Sequence, residues 1–198
     1  MKRLFAVIIV LALSVTCFSA CGKEEDEPEY IYTPAAQTKD EIFEKAEKGI
    51  LSPVSATDAN GNTSYAEVTL FMLRDDLVNI FSEDNLHTSN GERYNCISTG
   101  DVNFYFLSEN MDNGVVAMVD FESVYDFDLG TSVPDDVISR LGEPAERSDK
   151  SDDDLWFMPY SAGVTADCLT YYAEDNTLSF YFIGGFLSMT SLSVTKLW

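Results

Sequence analysis

"LRDDLVNIFSE", residues 73–83, aligns without a gap with "VPDDVISRLGE", residues 133–143. Asp75-Asp76 falls on Asp135-Asp136, Leu77-Val78 on Val137-Ile138, Phe81 on Leu141 and Glu83 on Glu143. Paired aspartates in a first turn suit the positive end of a helix dipole, so each stretch reads as a short helix. In the second, Ser132 is the expected N-cap, Pro134 sits in the first turn, and Gly142 followed by Pro144 stops the helix. The first stretch has Met72, Ser82 and Asp84 at those places, so its helix is expected to fray or run on.

The echo extends outward from these helices. Upstream, Tyr65 falls on Tyr125. Downstream, "VNFYF" at 102–106 matches "LSFYF" at 178–182, and "GVVAM" at 114–118 matches "GFLSM" at 185–189. Cys96 and Cys168 precede the aromatic strands at comparable places. A helix followed by three strands, twice over, predicts an α+β fold of two tandem units joined in one curved antiparallel sheet, with the helices on one face. By period two, Val102, Phe104, Phe106 and Leu178, Phe180, Phe182 face the helices. Tyr105 and Tyr181 then point to the other, open face, and Tyr171 joins them by alternation. Tyrosines there supply rigid, amphipathic contact area for a partner, or simply cover the sheet.

"YDFDLGTSVPDDVISRLGEP", residues 125–144, followed by aromatic strands, resembles the β-lactamase-inhibitory-protein superfamily, whose unit the small lipoproteins of outer-membrane assembly share. Members pair a Gly-led helix ending in Leu-Gly-x-Pro with an antiparallel sheet. The resemblance covers roughly residues 60–198 and implies a binding protein, with its partner on the open sheet face. It transfers no contact residue, because that surface differs between members.

The N-terminus carries a separate signal. Lys2 and Arg3 precede an unbroken apolar run, Leu4 to Leu13, and small residues follow, as in an export signal. Extended to Cys21, the run reaches the length of an uncleaved anchor, which is the alternative. Phe18-Ser19-Ala20-Cys21, followed by Gly22, is similar to a bacterial lipobox at its last three positions and departs from it at Phe18. Ser14-Val15-Thr16-Cys17 fits less well. The resemblance implies lipidation at Cys21, and two acyl chains there would give a stable membrane anchor. The acidic run from Glu24 to Glu29 then reads as an extended tether.

Composition narrows the function classes. Hydrophobic residues form 45% of the 198, with 13 Phe and 10 Tyr, enough for a real core. Lys2 and Arg3 belong to the leader, so 10 of the 12 basic side chains face 34 acidic ones beyond it. That balance repels phosphate backbones and argues against nucleic-acid binding. It suits solubility, or else a cationic partner. Cys96 and Cys168 could pair outside the cytoplasm, or remain two buried thiols.

Signs of catalysis are sparse. His87 is the one histidine and lies in a polar stretch, where a turn role is expected. No nucleophile elbow, phosphate loop, dinucleotide fingerprint or Cys-x-x-Cys occurs, so no catalytic residue and no cofactor is assigned. Asp152, Asp153 and Asp154 are weak calcium candidates, as is the alternation of Asp58, Asn60 and Asn62, which lacks a closing acid. Thr38-Lys39-Asp40-Glu41 has capping-box spacing and opens a short helix that Gly49 closes.

These readings divide the chain into a signal peptide (1–20), an acidic tether (21–37), a short helix with linker (38–59) and two α-β repeats (60–124 and 125–198). The expected function is a lipid-anchored binding or scaffold module on the extracytoplasmic face of a bacterial membrane, recognising an envelope or extracellular protein. The alternatives are an envelope hydrolase, expected to hold His87 or a buried carboxylate pair in a deep polar pocket, and a calcium-dependent structural or adhesion lipoprotein.

Overall fold

Thr38 opens the first helix, α1 (Lys39–Glu47), with both halves of its capping box formed. Its hydroxyl accepts from the Glu41 N–H at 3.3 Å, and the Glu41 carboxylate accepts from the Thr38 N–H at 2.7 Å. The computed structural model describes residues 37–57, 63–90, 94–107, 111–121, 124–151, 154–155 and 163–195. The leader, Cys21, the tether, Asp58, Asn60, Asn62, Asp152 and Asp153 lie outside the described residues.

Gly49, at φ +75°, turns the chain out of α1 into β1 (Ile50–Thr57), which pairs antiparallel with β2 (Thr63–Thr69). This hairpin straddles the expected boundary between residues 59 and 60, so the expected linker is half of a two-stranded sheet. Next come α2 (Arg74–Phe81), a 3₁₀ turn (Glu83–Asn85), β3 (His87–Asn90), β4 (Asn95–Ser98), β5 (Val102–Phe106) and β6 (Ala117–Asp120). After α3 (Pro134–Leu141) follow β7 (Glu146–Lys150), β8 (Ala166–Ala173), β9 (Asn176–Ile183) and β10 (Phe186–Val194). The fold is α+β, with few helices and antiparallel pairing in every ladder.

The eight strands β3 to β10 form one sheet in the order β3-β4-β5-β6-β10-β9-β8-β7. α2 and α3 are thus each followed by four strands rather than the three expected. The extra ones, β3 and β7, are short and polar and carry none of the aromatic pattern that marks their neighbours. The two runs meet where β6 pairs with β10, with Val119 opposite Ser191. One register slip separates the expected echo from the structure. An irregularity between Leu187 and Met189 puts Met189 on the opposite sheet face from Met118. The Tyr65–Tyr125 match also dissolves, since Tyr65 is exposed and Tyr125 is buried.

The helices end and begin by different means from those expected. Ser132 makes no cap; instead the Asp136 carboxylate reaches back to the Val133 N–H at 2.9 Å. In α2 the Asp76 carboxylate reaches the Leu73 N–H at 3.1 Å. Nor does α2 fray or run on. It stops at Ser82, which adopts φ +65° at the place where α3 uses Gly142 at φ +85°.

Two apolar clusters flank the eight-stranded sheet. The larger one gathers Val102, Phe104, Phe106, Leu178, Phe180 and Phe182, as period two predicts, against buried residues of α1, α2 and α3. Ring pairs tie it together, with Phe180 edge-on to both Phe127 and Tyr171. The smaller cluster occupies the other face and includes Cys96, Tyr105, Leu155, Cys168, Tyr181 and Met189.

Candidate functional site

Both faces of the sheet are therefore covered, and this overturns the expected tyrosine surface. Tyr105 is 5% exposed, Tyr181 9% and Tyr171 3%. Leu155, wholly buried, and Val164 pack into the cluster around the first two, so the face expected to be open carries a second core. The Tyr105 hydroxyl accepts from Asn103 Nδ2 at 3.0 Å, and the Tyr181 hydroxyl lies 3.3 Å from Ser191 Oγ. Burial pushes both phenols up, Tyr181 to about 12.

Tyr171 departs further, because it faces the helices. Its hydroxyl donates to the Gly142 carbonyl at 3.0 Å, and its ring packs edge-on against Phe43. The exposed residue of this pair is Tyr172, whose hydroxyl donates to Glu146 Oε1 at 2.7 Å. Alternation places Tyr171 with the helices because β8 opens with Ala166 in the smaller cluster, which puts Leu169, Tyr171 and Ala173 on the helix side.

The cysteines are corrected as well. Cys96 on β4 and Cys168 on β8 are free, buried thiols. Five strand spacings of about 4.8 Å separate them along the sheet. A disulfide requires Cα atoms within about 7 Å, so the two cannot pair within one chain. Cys96 lies opposite Tyr105, and Cys168 opposite Tyr181. Burial pushes the Cys96 thiol up to about 11 and raises Cys168 in the same direction, so neither is a nucleophile at neutral pH.

Asp154 is exposed and accepts from the Ser151 N–H and Ser151 Oγ, both at 3.1 Å, which closes a local turn. Among the described residues no three acidic, histidine or cysteine side chains are arranged to hold a metal. No helix among them is long and apolar enough to cross a membrane.

Sequence reasoning missed the cleft at one end of the sheet. It has a volume of about 250 Å³ and is lined by Ser55 of β1, Phe81 of α2, Asp84 and Asn85 of the 3₁₀ turn, His87 of β3, and Thr99 and Asp101 of the β4–β5 turn. The floor is rigid because Phe81 is buried against Phe104, with ring centroids 5.9 Å apart. Backbone geometry brings the walls in. Ser82 at φ +65° turns the chain sharply after α2, and the Asn85 amide donates to the Phe81 carbonyl at 3.0 Å. On the other wall the Thr99 N–H donates to the Val102 carbonyl at 3.1 Å, and Gly100 supplies φ +101°.

The cleft presents two carboxylates, an imidazole, two hydroxyls and an amide, with no Lys or Arg among its lining residues. The nearby Arg74 is engaged by Glu83 at 2.5 Å. Among the described residues no hydrogen bond joins His87 to Ser55, Asp84 or Asp101. The arrangement therefore accepts hydrogen bonds and attracts cations, and it lacks a connected proton relay. The one signal that could have found it is the spacing of His87 and Asp84 around a helix end, and Ser55 and Asp101 reach it only through the fold.

No family model matches the chain, and no curated protein does. Among solved structures, the chain is similar to a DUF4309 family protein, YjgB, from Bacillus subtilis, with a TM-score of 0.51 and 14% sequence identity. The match covers 81% of this chain and 98% of that one. At that identity the likeness concerns the fold alone.

Proposed function

We infer that this chain is a lipid-anchored binding module of the bacterial envelope, tethered through Cys21, and that it engages its ligand at the cleft rather than on a tyrosine face. The cleft carries this reading: it is an open, polar, anionic concavity with a fixed aromatic floor, whereas both sheet faces are packed. The leader, with Ala20-Cys21-Gly22 behind an apolar run, supports the anchor.

The finer architecture belongs to the same reading. We take the two helix-led halves as copies of one unit, now a helix with four strands, bent into one curved sheet. Helix bounds 60 residues apart support duplication, as do the reciprocal pairs Cys96–Tyr105 and Cys168–Tyr181. The resemblance to the β-lactamase-inhibitory-protein superfamily supports binding over catalysis.

Two measurements test this function. Mass analysis of protein extracted from its native membrane should find a diacylglyceryl group on Cys21, and Cys21→Ser should release the chain into the soluble fraction. Photo-crosslinking from a probe placed at Ser55 should trap a ligand that Asp84→Arg releases; trapping that is indifferent to this charge reversal would place the ligand elsewhere. The hydrolase reading draws on His87 standing beside Ser55 and two carboxylates. It requires His87→Ala to abolish hydrolysis of wall or peptide substrates, whereas the binding reading expects no turnover to lose.

A further inference from the structure

The two edges of the eight-stranded sheet are treated differently by the sequence. At one edge, β7 reads Glu146-Arg147-Ser148-Asp149-Lys150, four charges in five residues. Charged side chains on an edge oppose the addition of another strand, and Arg147 is further fixed to Asp167 through two hydrogen bonds of 3.1 and 2.6 Å. At the other edge, β3 reads His87-Thr88-Ser89-Asn90, with no acidic, Lys or Arg side chain and all four residues exposed. It pairs with β4 on one side only, and among the described residues no strand pairs with its outer side. In an edge strand alternate residues direct their N–H and C=O groups away from the sheet, ready for a partner.

The anionic cleft opens at the His87 end of this unguarded strand. We propose that β3 is the receiving edge for an extended, cationic peptide segment of a partner protein, which adds antiparallel or parallel to β3 and places a Lys or Arg between Asp84 and Asp101. This inference rests on the cleft being the binding site and names the class of its ligand. Main-chain bonds to β3 supply affinity independent of sequence, and the cleft supplies selection for a positive side chain. Four residues of strand span about 13 Å, so a hexapeptide covers both features. Charge also chooses the occupant. The chain carries −22, which steers basic segments toward it and opposes pairing with a second copy of itself.

The probe is a fluorescein-labelled, acetylated Val-Lys-Val-Lys-Val-Thr hexapeptide, compared with the same peptide carrying Glu for Lys. Fluorescence polarisation on the intact soluble chain should show saturable binding of the Lys peptide only. Asp84→Asn with Asp101→Asn should weaken it about five-fold or more, and both sites are solvent-accessible enough to leave the fold intact. Hydrogen exchange with the peptide bound should slow alternate amides of β3 at least ten-fold and leave β7 unchanged.

Each other outcome overturns the inference in a distinct way. Binding of both peptides alike removes charge selection. Cleft perturbation without β3 protection removes strand addition while keeping the cleft as a ligand site. Protection of β3 that grows with protein concentration and needs no peptide assigns the edge to a second copy. Absence of binding, with Ser55 crosslinking still lost in Asp84→Arg, shows that the cleft binds a ligand of another class. Absence of both removes the cleft itself.

Discussion

Cys96 against Tyr105 and Cys168 against Tyr181 are the same cross-strand couple built twice, each closing the face away from the helices. A phenol beside a thiol in a dry cluster keeps both protonated, because each anion would be unsolvated and would repel the other. The consequence is an alkaline limit on stability. The Cys96 thiol rises from 9.0 to about 11 on folding, so its contribution is fully present below pH 9 and is lost as pH rises through 11. A shift of that size corresponds to roughly 3 kcal/mol. Tyr181 and Tyr171, each pushed to about 12 by burial, extend the loss above pH 10. Melting temperature should hold to pH 8.5 and then fall steeply toward pH 11. At pH 8 neither thiol should react with a disulfide reagent until denaturant is added. Rapid labelling that maps to Cys96 and Cys168 in the native protein would show that the cluster is open.

Elements explain what could and could not be read in advance. The helices were legible because paired aspartates, Pro134 and Gly142 each favour one local conformation, and the Thr38 box formed as spaced. What failed was the identity of the cap. Ser132 was expected to act because serine commonly does, but the chain enters α3 with Val133 at the cap position and Asp136 facing back at it. The aromatic strands were legible by period two, while β3 and β7 were not, since short polar strands resemble loops. The tyrosine face failed for a reason beyond local pattern. Alternation assigns a side chain to a face but says nothing about what covers that face, and Leu155 and Val164 arrive from far along the chain. The cleft was invisible for the same reason, because three separate stretches of chain build it, around Ser55, from Phe81 to His87 and from Thr99 to Asp101. The back-bonded aspartates give this scale its prediction. Asp76→Ala and Asp136→Ala should each cost about 0.5–1 kcal/mol, and the double variant should cost their sum, since each carboxylate bonds only the start of its own helix. Urea midpoints measure this, and an Asp136 variant as stable as the parent would show the bond to be idle.

At the scale of the whole molecule the decisive contact is one ladder, β6 with β10, running from Asp120–Thr190 to Ala117–Ser193. Each half places one edge at the rim and the other in the middle, so neither half has a finished sheet alone. Met118 and Leu192 face each other across the junction within the larger cluster, and separating the halves would expose both together with the central strand edges. The α1 helix adds a second tie. Asn176 of β9 donates to the Ala46 and Glu47 carbonyls at 2.8 and 3.1 Å, so an element ahead of the first half is capped by a residue of the second. Two halves that share a sheet and a helix cap should unfold together, unlike independent domains. Thermal and urea melts followed by tyrosine fluorescence and by far-ultraviolet circular dichroism should therefore coincide in a single transition. Residues 125–198 expressed alone should aggregate or remain without fixed packing, because β10 would keep β9 but lose β6, and Asn176 would lose the α1 carbonyls it bonds. Two separable transitions in the intact chain, or a soluble and cooperatively folded 125–198 fragment, would show that the junction joins domains already complete.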